Sequence, residues 1–148
     1  MKAHRETLTI KTSGEYDVID ITADVEKAIL NAGISDGYAL VFSPHTTCGV
    51  MVNEKERGLL ADISATLTKL IPQNGSYQHD DFSVRTENMH PDETKNAHAH
   101  LRHLVGGRAS EYIPVEDGNL LLGRWQRIMV MEFDHSRPRE IFIQICGV

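Results

Sequence analysis

Along the first third of the chain, polar and apolar positions switch between two rhythms. Thr7-Leu8-Thr9-Ile10 alternates, Ser13-Gly14 marks a turn, and Val18-Ile19-Asp20-Ile21 resumes, so the spacing predicts a hairpin of two strands. A helical stripe follows over 23–32, with Val25, Ala28, Ile29 and Ala32 on one side and Gly33 as its stop. Two short β-type runs, 38–42 and 49–52, are separated by Ser43-Pro44-His45-Thr46-Thr47. Pro44 lacks the N–H a central ladder needs, which assigns this polar segment to a strand end or loop. Leu59, Ile63 and Leu67 then recur at helical spacing, widened by Leu60 and Leu70, and predict a helix over 54–70 that Pro72 ends.

The polar stretch 73–92 has no period. A loop of this length is more often functional than decorative. A further helix is expected over 94–105, with Ala97, Leu101 and Leu104 as its apolar face and Gly106-Gly107 ending it. The tail reads as strands over 112–115, 120–122, 127–133 and 140–145, with a turn at Glu116-Asp117-Gly118-Asn119. Strands and helices segregate instead of alternating, so the expectation is a single α+β domain: a mixed or antiparallel sheet and two main helices, 54–70 and 94–105.

Composition narrows the function classes. The 148 residues are 41% hydrophobic and 24% charged, with a net charge of -6, which suits a soluble domain and argues against a nucleic-acid surface. No apolar run approaches the roughly 20 residues that span a bilayer, and the charged N-terminus lacks the core of a signal peptide. Only Cys48 and Cys146 occur, without metal-type spacing, so a reduced, cytoplasmic protein is expected.

The unusual number is eight histidines. Around Asn96-Ala97-His98-Ala99-His100, an α-helix turns about 100° per residue, so His98 and His100 point about 200° apart. Asn96 and His100, at i and i+4, share a face beside the buried stripe. His100 is therefore the functional candidate, and a histidine bonding a backbone carbonyl is its plain alternative. His45, at a strand end, has the same two readings. His79-Asp80-Asp81, in the long loop, offers an imidazole and hard oxygen donors, or simply a solvated acidic turn. Asn53 reads as an N-cap and Glu54 as a favourable first-turn charge. His4, His90, His103 and His135 read as surface residues, and Cys48 has no evident base to make it a nucleophile. Convergence of His45, His79 and His100 would suit Zn²⁺ with an open coordination position.

In order along the chain, Pro44-His45-Thr46-Thr47, Asn53-Glu54, His79-Asp80, Asn96 to Leu101, Leu120 to Gln126 and Glu132-Phe133-Asp134 closely resemble the YjbQ family of secondary thiamine-phosphate synthases. The resemblance runs from Thr7 to the C-terminus. It implies a homotrimer with a polar site near a subunit boundary, in which His45, His79, Asn96, His100, Gln126 and Glu132 match recurring polar positions. Arg124 departs from the family's usual threonine before Trp-Gln. The implied activity is a weak synthase reaction that joins an aminopyrimidine-methyl diphosphate to a thiazole phosphate and releases pyrophosphate.

On that footing, His45, His100 and Glu132 are the candidate catalytic groups and His45, His79 and His100 the candidate metal ligands. Thr47, Asn53, Glu54, Asn96, Arg124 and Gln126 are candidate substrate contacts. A divalent ion, Zn²⁺ or Mg²⁺, is the expected cofactor, with Asp80, Asp81 and Glu132 as further Mg²⁺ donors and Arg85, Arg102 and Arg124 as phosphate contacts. The expected partner is a small phosphorylated substrate, with no nucleic acid and no membrane. The rival readings are a zinc-dependent hydrolase of a small molecule and a non-catalytic trimeric module that binds a small ligand or metal.

Overall fold

The C-terminal strand organises the larger sheet. In the computed structural model, which describes residues 1–148, β1 (Lys2–Lys11) runs antiparallel to β8 (Pro138–Gly147) along its whole length. β8 pairs on its other side with β3 (Gly37–Phe42), which pairs with β5 (Ser110–Glu116) and so with β6 (Asn119–Leu120). The smaller sheet places β7 (Gln126–Glu132) between β2 (Val18–Asp20) and β4 (Cys48–Glu54). Every pairing is antiparallel. The hairpin expected of the first two strands does not form: β1 and β2 lie in different sheets. Their alternation was real, but the complementary partners are β8 and β7. The β5–β6 turn forms where expected, with Asp117 and Gly118 at φ 48° and 74°, the left-handed region that Asp-Gly tolerates well.

Alternation decides the layers. Ala39 and Val41 of β3, Ile113 and Val115 of β5, and Ile141, Ile143 and Ile145 of β8 face Val50, Ile128 and Val130 of the smaller sheet. Helix α1 (Thr22–Ala32) completes this core with Val25, Ala28 and Ile29. β7 is buried on both faces, so its opposite side adds Met131 to a second core with Phe133, Leu67 and Ala99, under helices α2 (Arg57–Leu70) and α3 (Ala97–Gly106). All three expected helices are present, and α1, not counted among the two main ones, is longer than α3.

Two helix expectations change. α2 begins at Arg57, and Glu56, not Asn53, caps it by accepting from the amides of Gly58 and Leu59 at 2.7 Å. α3 is turned from its expected face: Ala97, His98, Ala99 and Arg102 are buried, while Leu101, Leu104 and Val105 are exposed. Arg102 can be buried because distant groups satisfy it, with Nε donating to the Ile71 carbonyl at 3.0 Å and Nη1 to Glu15. No helix is long and apolar enough to cross a membrane.

Candidate functional site

The segment after β3 is held from below by a buried ion pair. Glu132, with no exposed surface, accepts from Arg139 Nε at 2.7 Å and from Thr12 Oγ1 at 2.9 Å, and its other oxygen accepts from the Asp134 amide at 3.0 Å. Arg139 also donates to Thr47 Oγ1 at 3.0 Å, and the Phe133 amide donates to the Thr47 carbonyl at 2.9 Å. Thr47 and Glu132 thus fix the loop. With both carboxylate oxygens engaged, Glu132 braces the two sheets, a different job from the acid or base expected of it. His45 rides on this base, its Nε2 3.1 Å from both the amide nitrogen and the carbonyl oxygen of Glu140.

The long loop reaches α3 through a 3₁₀ turn, Gln78–Asp80. Asp80 Oδ1 accepts from the amides of Asn96 and Ala97, both at 3.0 Å. It therefore serves two of the donors that a helix start leaves without partners. This capping carries the preceding residue into place: His79 meets His100 edge to face, with ring centroids 4.8 Å apart. Arg85 bonds both Glu93 and the His79 carbonyl, and Glu93 lies 3.7 Å from His79 Nε2. Behind His100, Asn96 Nδ2 donates to Asp134 at 3.3 Å, while Asn96 Oδ1 is buried without a partner. The Thr46 backbone lies close enough to His100 to favour its charged form, so the strand-end loop comes beside α3.

Burial first, and then the neighbouring His79, holds the His100 imidazole below its usual range. Burial, reinforced by Arg139, does the same to His45. Both rings are neutral at physiological pH, each with one donor and one acceptor nitrogen. Arg85 holds Glu93 below the usual carboxylate range. At Asp134, burial acts upward and is outweighed by the His135 amide, Asn96 and Arg137, leaving it ionised. Burial pushes the Cys48 thiol up to about 12, which removes it as a nucleophile.

The remaining candidates lie elsewhere. Asn53 and Gln126 line a separate cleft of about 480 Å³ beside the C-terminus of α3. Glu54 follows Asn53 on a strand and takes the opposite face. Arg124 stacks on exposed Trp125, 4.8 Å from the ring centroid. Asp81 is occupied by Ser83, while Arg85 and Arg102 are already paired with Glu93 and Glu15.

No group of three or more His, Cys, Asp or Glu side chains is arranged to hold a metal ion. His79 and His100 supply two imidazoles and His45 bonds Glu140, so the three-histidine set does not fit a zinc centre within one chain. Sequence reasoning quoted Asp134 only within the family segment, gave Arg139 no role, and read His103 as a surface residue, whereas it is half-buried. His103 lies beside Phe133 with Nε2 buried and unpartnered, and its i, i+3 spacing from His100 was the available signal.

Residues 6–148 match the YjbQ-like UPF0047 family. A UPF0047 protein of Archaeoglobus fulgidus is 41% identical over 93% of this chain and 97% of its own length. YugU of Bacillus subtilis, also a UPF0047 protein, is 34% identical over 96% of this chain and 98% of its own. A YbjQ-like protein of unknown function from Sulfolobus solfataricus superposes with a TM-score of 0.87, at 32% identity and 99% coverage of both chains. A YjbQ/UPF0047 structure from Clostridium acetobutylicum gives 0.81, at 38% identity, covering 95% of this chain and 99% of that one. The order of segments, the antiparallel two-sheet fold and these matches agree: the chain belongs to the YjbQ/UPF0047 family.

Proposed function

We propose that the protein is a small enzyme of the secondary thiamine-phosphate synthase type, acting on a phosphorylated substrate at the His79–His100 pair. The observation that carries this reading is the edge-to-face contact of those two rings at 4.8 Å, formed between a long loop and a helix start. In the reaction, the bond between the pyrimidine's methylene carbon and the diphosphate oxygen breaks. The thiazole nitrogen bonds to that carbon, and negative charge gathers on the departing oxygen. Donors aimed at such an oxygen are worth most where water is excluded. The N–H groups of His79 and of the neutral His100 ring supply them. Asn96, through its unpartnered Oδ1, accepts from the substrate's ring amine. A divalent ion enters as the companion of the diphosphate, since the chain offers it two imidazoles and no third ligand.

The family resemblance adds a homotrimer, and the outer surface supports it. The outer face of the larger sheet carries Tyr38 and Tyr112, with ring centroids 5.6 Å apart, and Phe42 and Phe142, 6.3 Å apart. Tyr112 is 65% exposed. An apolar face of this kind is a surface that copies of the chain would cover. A cytoplasmic setting is supported by two free, buried cysteines.

The test is pyrophosphate release from the two synthase substrates with Mg²⁺, using wild type and His100→Gln. Release by wild type that falls about a hundredfold in the variant supports the reading. Hydrolysis without condensation, dependent on a metal that His100→Ala loses, would instead identify a zinc hydrolase. Ligand binding without turnover would leave a binding module.

A further inference from the structure

His98 points away from the His79–His100 pair, and its surroundings form a site of their own. It is 3% exposed. Its Nε2 lies 3.5 Å from Glu15 Oε1, and its Nδ1 is buried with no protein partner. The ring forms part of the wall of a cleft of about 580 Å³. The other lining residues are Glu15, Gln73, Thr94, Lys95, Asp134 and His135, so the wall contains no hydrophobic side chain. Native structures rarely leave a buried ring nitrogen unpaired. One that does so on the wall of a wholly polar cleft marks a place for a ligand.

The hydrogen-bonding capacity left over identifies the ligand. Both carboxylates are already committed: Glu15 to Arg102 and His98, Asp134 to Arg137 at 2.7 Å, His135 at 3.1 Å and Asn96 at 3.3 Å. The Lys95 ammonium, the Thr94 hydroxyl and the Gln73 amide make no hydrogen bond within the protein, and all three donate. Lys95 has no acidic partner within ion-pair distance, so the uncompensated charge is positive. We propose that this cleft binds a small oxyanion, a phosphate or carboxylate head group, held by Lys95 and Thr94 and by His98, whose two ring nitrogens then both donate, Nε2–H to Glu15 and Nδ1–H to the anion. This site is independent of the synthase reading, because none of His45, His79 and His100 lines it. Asp134 stands between the two sites, bonded to Asn96 on one side and His135 on the other.

Inorganic phosphate is the probe, followed by ³¹P line broadening and calorimetry against wild type, Lys95→Ala, His98→Gln and His100→Ala. Acetate runs in parallel to separate phosphate from carboxylate recognition. A charge-assisted contact of this kind corresponds to about a tenfold change in affinity. The expected result is saturable binding by wild type, weakened about tenfold by Lys95→Ala and by His98→Gln, and unchanged in His100→Ala. Lys95 is exposed, so its variant stays folded even if the buried His98 does not tolerate change. Absence of saturable binding of either anion to wild type overturns the proposal. So does binding lost in His100→Ala but kept in Lys95→Ala, which would assign the anion to the imidazole pair. Phosphate bound where acetate is not, or the reverse, fixes the head group.

Discussion

His79 and His100 touch edge to face, and the contact exists because Asp80, one residue from His79, caps the helix that carries His100. A loop without periodicity is thus registered on α3 by two hydrogen bonds. Replacing Asp80 by Ala should remove that registration, at about 1–2 kcal/mol of stability for a lost cap. Urea unfolding measures the loss. Amide exchange should accelerate at Asn96 and Ala97 first, and unchanged exchange there would contradict the capping role.

Proximity also has an electrical consequence. Burial is the larger cause of the low His100 pKa and His79 the second, so His79→Gln should raise the His100 pKa toward its usual 6.5 without restoring it. NMR titration of the ring carbons reads this directly. An unchanged His100 value in the variant would mean the rings do not meet in solution.

Stability should depend on pH with a definite sign. His45, His100 and His103 all have folded pKa values lowered mainly by burial. As pH falls through about 6.5, the unfolded chain binds protons that the folded chain refuses, so stability falls with it. Above that range all three are neutral in both states and the contribution vanishes. Asp134, held below its usual 3.8, acts in the opposite charge sense but adds its own loss only at more acidic pH. Urea midpoints at pH 7.5 and 5.5 should show the decline. His103→Met, which removes an unpartnered nitrogen and keeps a flexible apolar body, should shrink it.

The Glu132–Arg139 pair should prove structural. Deleting one member strands a buried charge, at about 3–5 kcal/mol, whereas replacing both with apolar residues of similar volume costs much less. Urea unfolding of Glu132→Leu, Arg139→Leu and the double variant tests this. Additive losses would contradict it.

Several features were legible along the chain because their causes are local. Leu59, Ile63 and Leu67 marked the inner side of α2, and Asp117-Gly118 marked the β5–β6 turn. His79 and His100 were both singled out by residue type and position. What sequence could not supply was pairing at a distance. The alternation of β1 and β2 was visible, but their partners β8 and β7 lie at the other end of the chain. The inward face of α3 was misread because His98 and Arg102 find Glu15 and the Ile71 carbonyl, while Leu101 and Leu104 look outward. Glu132 was recognised, but Arg139, seven residues on and across to another sheet, was needed to see that its charge is spent internally.

The most direct test of a shared ligand is a double-variant cycle on kcat/KM for pyrophosphate release, with His79→Gln, His100→Gln and both together. Two rings that serve one departing group should be non-additive, the double variant being no worse than the weaker single one by more than about threefold. Multiplicative losses would contradict a common centre and show the two histidines acting separately.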